Sequence, residues 1–319
     1  MRFHLHVGMP KTGTTSLQQR LHSSASDLAA RGVLYPPGWR NEEGIAHHML
    51  GARLLAEGLA EADGLAAEVV QAVTGTGAGH VVLSTESLTN LISSDRVRIL
   101  DRFTHALSAA GQVDMVICLR RIDEFFESMY LHSVKVGETR ESFDEYLARR
   151  DRWAESFFGA LCALEQLRSC RIRPVVYRRG SDVVGGVLAA LEVPPDAVAP
   201  EETARAANQK LSLKVQACLL HLPDIAAELG KPLRREALIR AAERGRLVLP
   251  DDTLRYSIMP RVAARWIHES ALHQALRFGN DAYYQAFRRE APSGPAPARL
   301  DRAMLTPEDL GIIAALGAA

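Results

Sequence analysis

Residues 7–18 read Val-Gly-Met-Pro-Lys-Thr-Gly-Thr-Thr-Ser-Leu-Gln, and they follow the short apolar stretch of Phe3, Leu5 and Val7. This order reads as a strand, a glycine loop and the start of a helix. A turn built from Gly8, Gly13, Thr14, Thr15 and Ser16 places backbone N–H groups and the positive end of a helix dipole together, an arrangement suited to a phosphate-like dianion. Lys11 adds a mobile positive charge, with Thr12 beside it, and Pro10 stiffens the loop before them. The Walker A pattern puts its lysine directly before the Ser/Thr that opens the helix. Here Lys11 comes earlier and Gly13 takes that place. The ordinary alternative is a Gly/Thr turn that does no more than cap a helix.

The rest of the chain sets bounds on what such a loop serves. A length of 319 residues, with 47% hydrophobic and 24% charged residues, is that of a globular protein with an ample core. Lys+Arg and Asp+Glu are equal at 38 each, so no global field favours nucleic acid or an anionic membrane, and any anion site is local. The four cysteines, Cys118, Cys162, Cys170 and Cys218, contain no C-x-x-C pair. That speaks against a zinc site or a disulfide framework and fits a reducing cytosol. The start MRFHLHVG has the period of a strand rather than the apolar run of a signal peptide. No stretch approaches the ~20 apolar residues that cross a bilayer. A cytoplasmic protein with no transmembrane segment is expected.

Five apolar runs read as strands: Arg2 to Val7, Val33 to Tyr35, His80 to Thr85, Val113 to Leu119 and Ile172 to Tyr177. Helical periods lie between most of them, as in Asp95 to Ala110, where Val97, Leu100, Phe103 and Leu107 share a face. The fold class expected is α/β, a parallel central sheet of about five strands flanked by helices. Ligands on such sheets bind at the carboxyl ends of the strands, where the glycine loop begins. Pro174 places the last strand at an edge or starts it later. From about residue 196 the pattern is helical, in Leu211 to Leu229, Arg234 to Arg244, Arg261 to Leu276 and Asp281 to Arg288. The organisation expected is an α/β core over 1–195, a helical C-terminal part of the same domain over 196–290, and a tail over 291–319. Pro-rich breaks mark Pro194 to Pro200 and Ala291 to Ala298. In the tail, Thr306-Pro307-Glu308-Asp309 is a helix start.

A second constellation is VICLRRIDEFFESMY, Val116 to Tyr130. A buried strand ends at Arg120 and a helix beginning near Asp123 carries Ser128. Eight residues on a continuous helix would separate these two by ~12 Å. They converge on one phosphate only if the chain turns after Arg120. Arginine offers a planar fork of donors matched to phosphate, and serine adds a hydroxyl.

The two segments together resemble the PAPS-dependent sulfotransferases (PAPS is 3′-phosphoadenosine 5′-phosphosulfate). PKTGTTSLQ resembles their 5′-phosphosulfate loop, and Arg120 with Ser128 resembles their 3′-phosphate motif. Gly32-Val33-Leu34-Tyr35-Pro36, His48-Met49-Leu50, Ser84-Thr85-Glu86 and Asn208-Gln209-Lys210-Leu211-Ser212 are similar to segments of a bacterial branch, so the likeness spans roughly 2 to 290. The chain departs from the cytosolic branch in having Ser16-Leu17 where a tryptophan stands, and it lacks an R-K-G-x-x-G element near the C-terminus. The resemblance implies a P-loop-like fold and sulfuryl transfer from PAPS to a hydroxyl or amine of a glycan, lipid or small molecule. It implies Lys11 as the cation at the leaving oxygen, with Thr12, Gly13, Thr14, Thr15 and Ser16 around the 5′-phosphate. Arg120 and Ser128 are implied at the 3′-phosphate and Tyr177 near the adenine, with no metal required. Glu86, His48 and the adjacent His47 are the candidates for the base that takes the acceptor's proton. A P-loop kinase using ATP and magnesium, and a non-catalytic binding module on the same fold, are the rival readings. The displaced lysine argues against the first and the intact Lys11 and Arg120/Ser128 set against the second. Acceptor identity and self-association into a homo-oligomer stay open.

Overall fold

A computed structural model describes residues 1–8, 11–92, 96–149, 159, 161–164, 167–178, 181–198, 210–254, 257–277, 280–290 and 298–317. Pro10, Asp95, Trp153, Pro200, Asn208, Gln209 and all of the Ala291–Ala298 break but its last residue lie outside the described residues.

The fold is α/β. Strands β1 (Arg2–Val7), β2 (Val33–Leu34), β3 (His80–Ser84), β4 (Gln112–Leu119) and β5 (Arg171–Val176) form a parallel sheet in the order β2-β3-β1-β4-β5, flanked by helices. Each expected strand appears, with its ends moved by no more than one residue. Pro174 lies in β5 at the sheet's edge, where the missing N–H is tolerated. The inner strands are largely apolar because helices cover both faces of the sheet. Phe3, Leu5 and Val7 project to one face of β1, and His4 and His6 to the other. On the histidine face Val82, Val116 and Cys118 pack against Leu17 and Leu21 of the helix Thr14–Ser23 and against Val187 and Leu188 of the helix Val183–Ala190. β1 is central, and its neighbours β3 and β4 come from later in the chain on opposite sides. The strand order therefore reverses beside it, which opens a crevice at its carboxyl end.

The chain forms two compact units: Met1–Arg121, Arg152–Arg205 and Ala271–Arg289 in the first, Ile122–Asp151, Ala206–Ser270 and Glu290–Ala319 in the second. The first holds the sheet. The second is helical, with Ile122–Val136, Leu213–Leu220, Leu222–Glu228, Arg235–Glu243 and Pro307–Gly317 among its elements. The single helix expected over Leu211 to Leu229 is two helices meeting at His221. Pro223 explains the break, since proline has no N–H to continue the ladder and is accommodated only in a first turn. The tail helix starts as expected: Thr306 Oγ1 accepts from the Asp309 amide at 3.2 Å while the Thr306 amide donates to Asp309 Oδ2 at 2.8 Å. Lys214 Nζ reaches Asp309 Oδ2 at 2.9 Å and the Pro250 carbonyl at 2.6 Å, which fixes the tail helix within its unit. Among the described residues no helix is long and apolar enough to cross a membrane.

Candidate active site

The glycine loop leaves the carboxyl end of β1 and enters the helix Thr14–Ser23 through Gly13, its N-cap. Gly13 is left-handed (φ 82°, ψ 13°) and has no side chain with which to bond the first-turn amides, which leaves that end of the helix suited to an anion. Lys11 is also left-handed, at φ 68°, a strained position for a lysine. Arg120 Nη1 donates to the Lys11 carbonyl at 2.7 Å and holds the backbone there. A Cβ on Gly8 would meet Cγ2 of the buried Thr14 at 2.1 Å, so only glycine lets the chain turn off the strand. Thr15 is exposed and Ser16 half-exposed, which leaves their hydroxyls open to a ligand. Thr12 does otherwise: it is buried, and its side chain bonds the Cys118 thiol. The space beneath the loop, lined by His6, Thr12, Thr14, Leu17, Val183 and Val187, leaves no room for a water molecule.

The carboxyl end of β3 is laced to this loop. Thr85 donates its amide to the His6 carbonyl at 3.0 Å, His6 Nδ1 and Ser84 Oγ lie 2.8 Å apart, and Thr89 Oγ1 donates to the Gly8 carbonyl at 2.8 Å. Thr85 caps the short 3-10 helix Glu86–Leu91 by accepting from the Ser87 amide at 3.0 Å, so Glu86 begins the turn. Burial pushes the Glu86 carboxyl up to about 7, against the pull of the Lys11 charge. A carboxyl near 7 exchanges protons readily at neutral pH.

The two histidines part company. His47 is fully buried and uses both ring nitrogens, Nε2 with the Pro36 carbonyl at 2.9 Å and Nδ1 accepting from the Ser84 amide at 3.1 Å. Burial lowers it to about 4, so it is neutral and committed to holding the loop 36–47 against β3. It has no nitrogen left for an acceptor. His48 keeps Nε2 outside its contacts with Thr85 Oγ1 (2.9 Å) and Ser87 Oγ (3.4 Å), both of which go to Nδ1. Burial lowers His48 as well, with Glu43 opposing. The helix carrying it begins at His48, because just before it Asn41 Oδ1 accepts the amides of Ile45 and Ala46, both at 3.1 Å, in a turn. Gly51 lets that helix close on the Glu86 turn, since a Cβ there would meet Ser87 Cβ at 2.4 Å.

Arg120 follows β4 directly and the helix Ile122–Val136 starts two residues on, the turn expected at this point. It is 6% exposed, and its guanidinium lies over the Tyr177 ring at 4.5 Å from the centroid. The first unit therefore brings together Lys11, the loop amides, Arg120, Tyr177, Glu86 and His48. Ser128 is half-buried on the helix Ile122–Val136 of the second unit. The alternation of His4 and His6 with apolar residues marks a polar layer under the loop, but Thr89 and Gly51 carry no signal in the sequence, because their roles arise from contacts between distant segments.

No family model matches the chain, and no curated protein matches it. Among solved structures, a sulfotransferase from Alicyclobacillus acidocaldarius is similar over 74% of this chain and 98% of that one, at 15% identity and a TM-score of 0.40. A likeness of that degree carries no argument about chemistry. The functional reading rests on the residues themselves.

Proposed function

We propose that the chain is a sulfotransferase that moves the sulfuryl group of PAPS to a hydroxyl or amine of a glycan, lipid or small-molecule acceptor. The observation that supports this best is the pairing of Lys11, on an anion-suited loop, with a Glu86 carboxyl held near 7 beside it. When bound, PAPS supplies a sulfuryl group on a phosphate leaving group.

The residues divide the remaining work. The amides of Gly13, Thr14 and Thr15 and the hydroxyls of Thr15 and Ser16 hold the 5′-phosphate. Lys11 offsets the charge that grows on the leaving oxygen, an interaction stronger in the transition state than before it and therefore catalytic. Arg120 takes the 3′-phosphate and Tyr177 lies toward the adenine. Glu86 accepts the acceptor's proton, with His48 Nε2 as the second candidate. Lysine and helix terminus supply the positive field, so the step needs no metal.

The test is calorimetry of adenosine 3′,5′-bisphosphate and AMP against the chain in chelator. Tighter binding of the bisphosphate, weakened in Arg120→Ala, is expected; equal affinity overturns the reading. Binding of ATP only with magnesium would favour a kinase, and bisphosphate binding without turnover of PAPS on any acceptor a binding module.

A further inference from the structure

The histidine face of the sheet carries a second polar cluster, set toward the amino ends of the strands. His4 lies within β1, His80 opens β3, and Glu192 follows the helix Val183–Ala190. His4 is fully buried, while the side chains of His80 and Glu192 keep 33% and 29% of their surface open to solvent. One ligand atom from each lies within 4.8 Å of the other two. His4 Nε2 is 3.0 Å from His80 Nδ1, which is 3.9 Å from Glu192 Oε2.

We propose that His4, His80 and Glu192 form a site for a divalent transition-metal ion of the zinc type, with water on the solvent side as its fourth ligand. Two imidazoles and a carboxylate suit zinc or cobalt rather than magnesium or calcium. A tetrahedral ion ~2.0–2.1 Å from two nitrogens spaces them by about 3.3 Å. The pair needs to open by only a few tenths of an ångström. The imidazoles lie within 8° of parallel with centroids 5.3 Å apart, so the two nitrogens face each other across one shared proton. The ion takes that proton's place and both rings tilt toward it.

Two further features fit. His4 Nδ1 is buried without a hydrogen-bond partner, and Asp114 Oδ2 is 3.9 Å away. Ligation through Nε2 fixes the proton on Nδ1, and the ring tilt that admits the ion must also close the 3.9 Å gap to Asp114 Oδ2 before that N–H bonds the carboxylate. Arg171 holds Asp114 in place with two bonds, of 3.0 and 2.9 Å. Glu192 stands at φ 57°, a left-handed position after a helix that is normally given to glycine, and its carboxylate is the group the cluster uses. Arg2 and Arg173 also bond Glu192, so the ion shares that carboxylate with two cations. The affinity is therefore below that of a closed structural zinc site.

The experiment uses the full chain, stripped with chelator and titrated with zinc chloride by calorimetry and with cobalt chloride by visible absorption. One equivalent of zinc, and the intense cobalt bands of a four-coordinate site, are expected. His80→Ala should weaken binding about tenfold or more and remove those bands, and Glu192→Gln should weaken it less. Lys11→Ala, and His105→Ala at an exposed histidine of the helix Val97–Ser108, should leave it unchanged. Circular dichroism checks that each variant is folded, and the melting temperature of wild type, unlike that of His80→Ala, should rise with zinc. No saturable zinc binding to wild type, or binding unchanged in folded His80→Ala, overturns the proposal. Neither result bears on bisphosphate binding, which is measured apart.

Discussion

Replacing Glu86 by glutamine should change how stability depends on pH. Burial raises the Glu86 carboxyl from its ordinary 4.5 to about 7. Between those two values the folded state holds a proton that the unfolded chain has released, so this group's contribution to stability is full below pH 4.5 and falls as pH rises through 7. The interval is ~2.5 pH units at ~1.4 kcal/mol each, so the ionised carboxylate costs the fold about 3.5 kcal/mol at pH 8, of which about 3 kcal/mol accrues between pH 4.5 and 8. The glutamine has nothing to ionise. The stability of Glu86→Gln minus that of wild type should therefore be about 3 kcal/mol more favourable at pH 8 than at pH 4.5. The difference between the two proteins is the quantity to read, because His6 and His47, both held near 4 by burial, tilt both curves in the opposite sense. Urea unfolding at half-unit pH steps gives it directly. A difference that is flat from pH 4.5 to 8 would refute the raised carboxyl and, with it, the argument that Glu86 is poised to take a proton. If the proposed chemistry is right, the variant that gains stability relative to wild type as pH rises toward 8 is also inactive.

Lys11→Ala should lower single-turnover sulfuryl transfer far more than it weakens bisphosphate binding; a lower affinity with an unchanged rate would make Lys11 a binding residue alone. His47→Ala strands the Ser84 amide and the Pro36 carbonyl and should cost about 2–4 kcal/mol in urea unfolding, while His48→Ala costs less than about 1 kcal/mol. The reverse order would contradict the contacts of His47. Asp309→Asn leaves Lys214 buried without its carboxylate and should cost about 3–5 kcal/mol. In wild type, burial raises Asp309, but the bonds from Lys214 and Thr306 outweigh it and leave the carboxyl below its usual range. The stability it contributes is therefore present above the ordinary aspartate pKa and lost on acidification, and a variant whose deficit at pH 7 persists undiminished well below that range would refute the pairing.

The sheet was legible in the sequence because each strand carries several apolar residues in a short run between turn residues, as burial under helices favours, even where His4, His6 and Asp114 interrupt it. The glycine loop was legible because it is contiguous: conformation, charge and helix start occur within a few residues. What escaped was whatever depends on contacts between distant segments. Helical period could not separate His47 from His48, since adjacent residues on a helix differ only in direction. The structure separates them through Pro36 and Ser84, neither of which is a helix neighbour. The break at His221 was marked by Pro223, yet the apolar period runs through it and hid the boundary.

Thr12 shows the same limit inside the best-read motif. It is one of the hydroxyl residues beside Gly13, and composition makes it equivalent to Thr15 and Ser16. The turn at Gly13 directs it into the core, toward Cys118 on β4, while Thr15 stays at the surface. That inward hydroxyl is part of what holds the loop. Thr12 bonds Cys118, Thr89 bonds the Gly8 carbonyl and Arg120 bonds the Lys11 carbonyl, so β4 and the turn after β3 both clamp a backbone with two left-handed residues. A loop held from several strands keeps its amides aimed before any anion arrives, which lowers the ordering cost of binding. The same lacing brings the turn at Glu86 to the loop that carries Lys11. The geometry that fixes the anion site is then also the geometry that desolvates the carboxyl and tunes it toward neutrality.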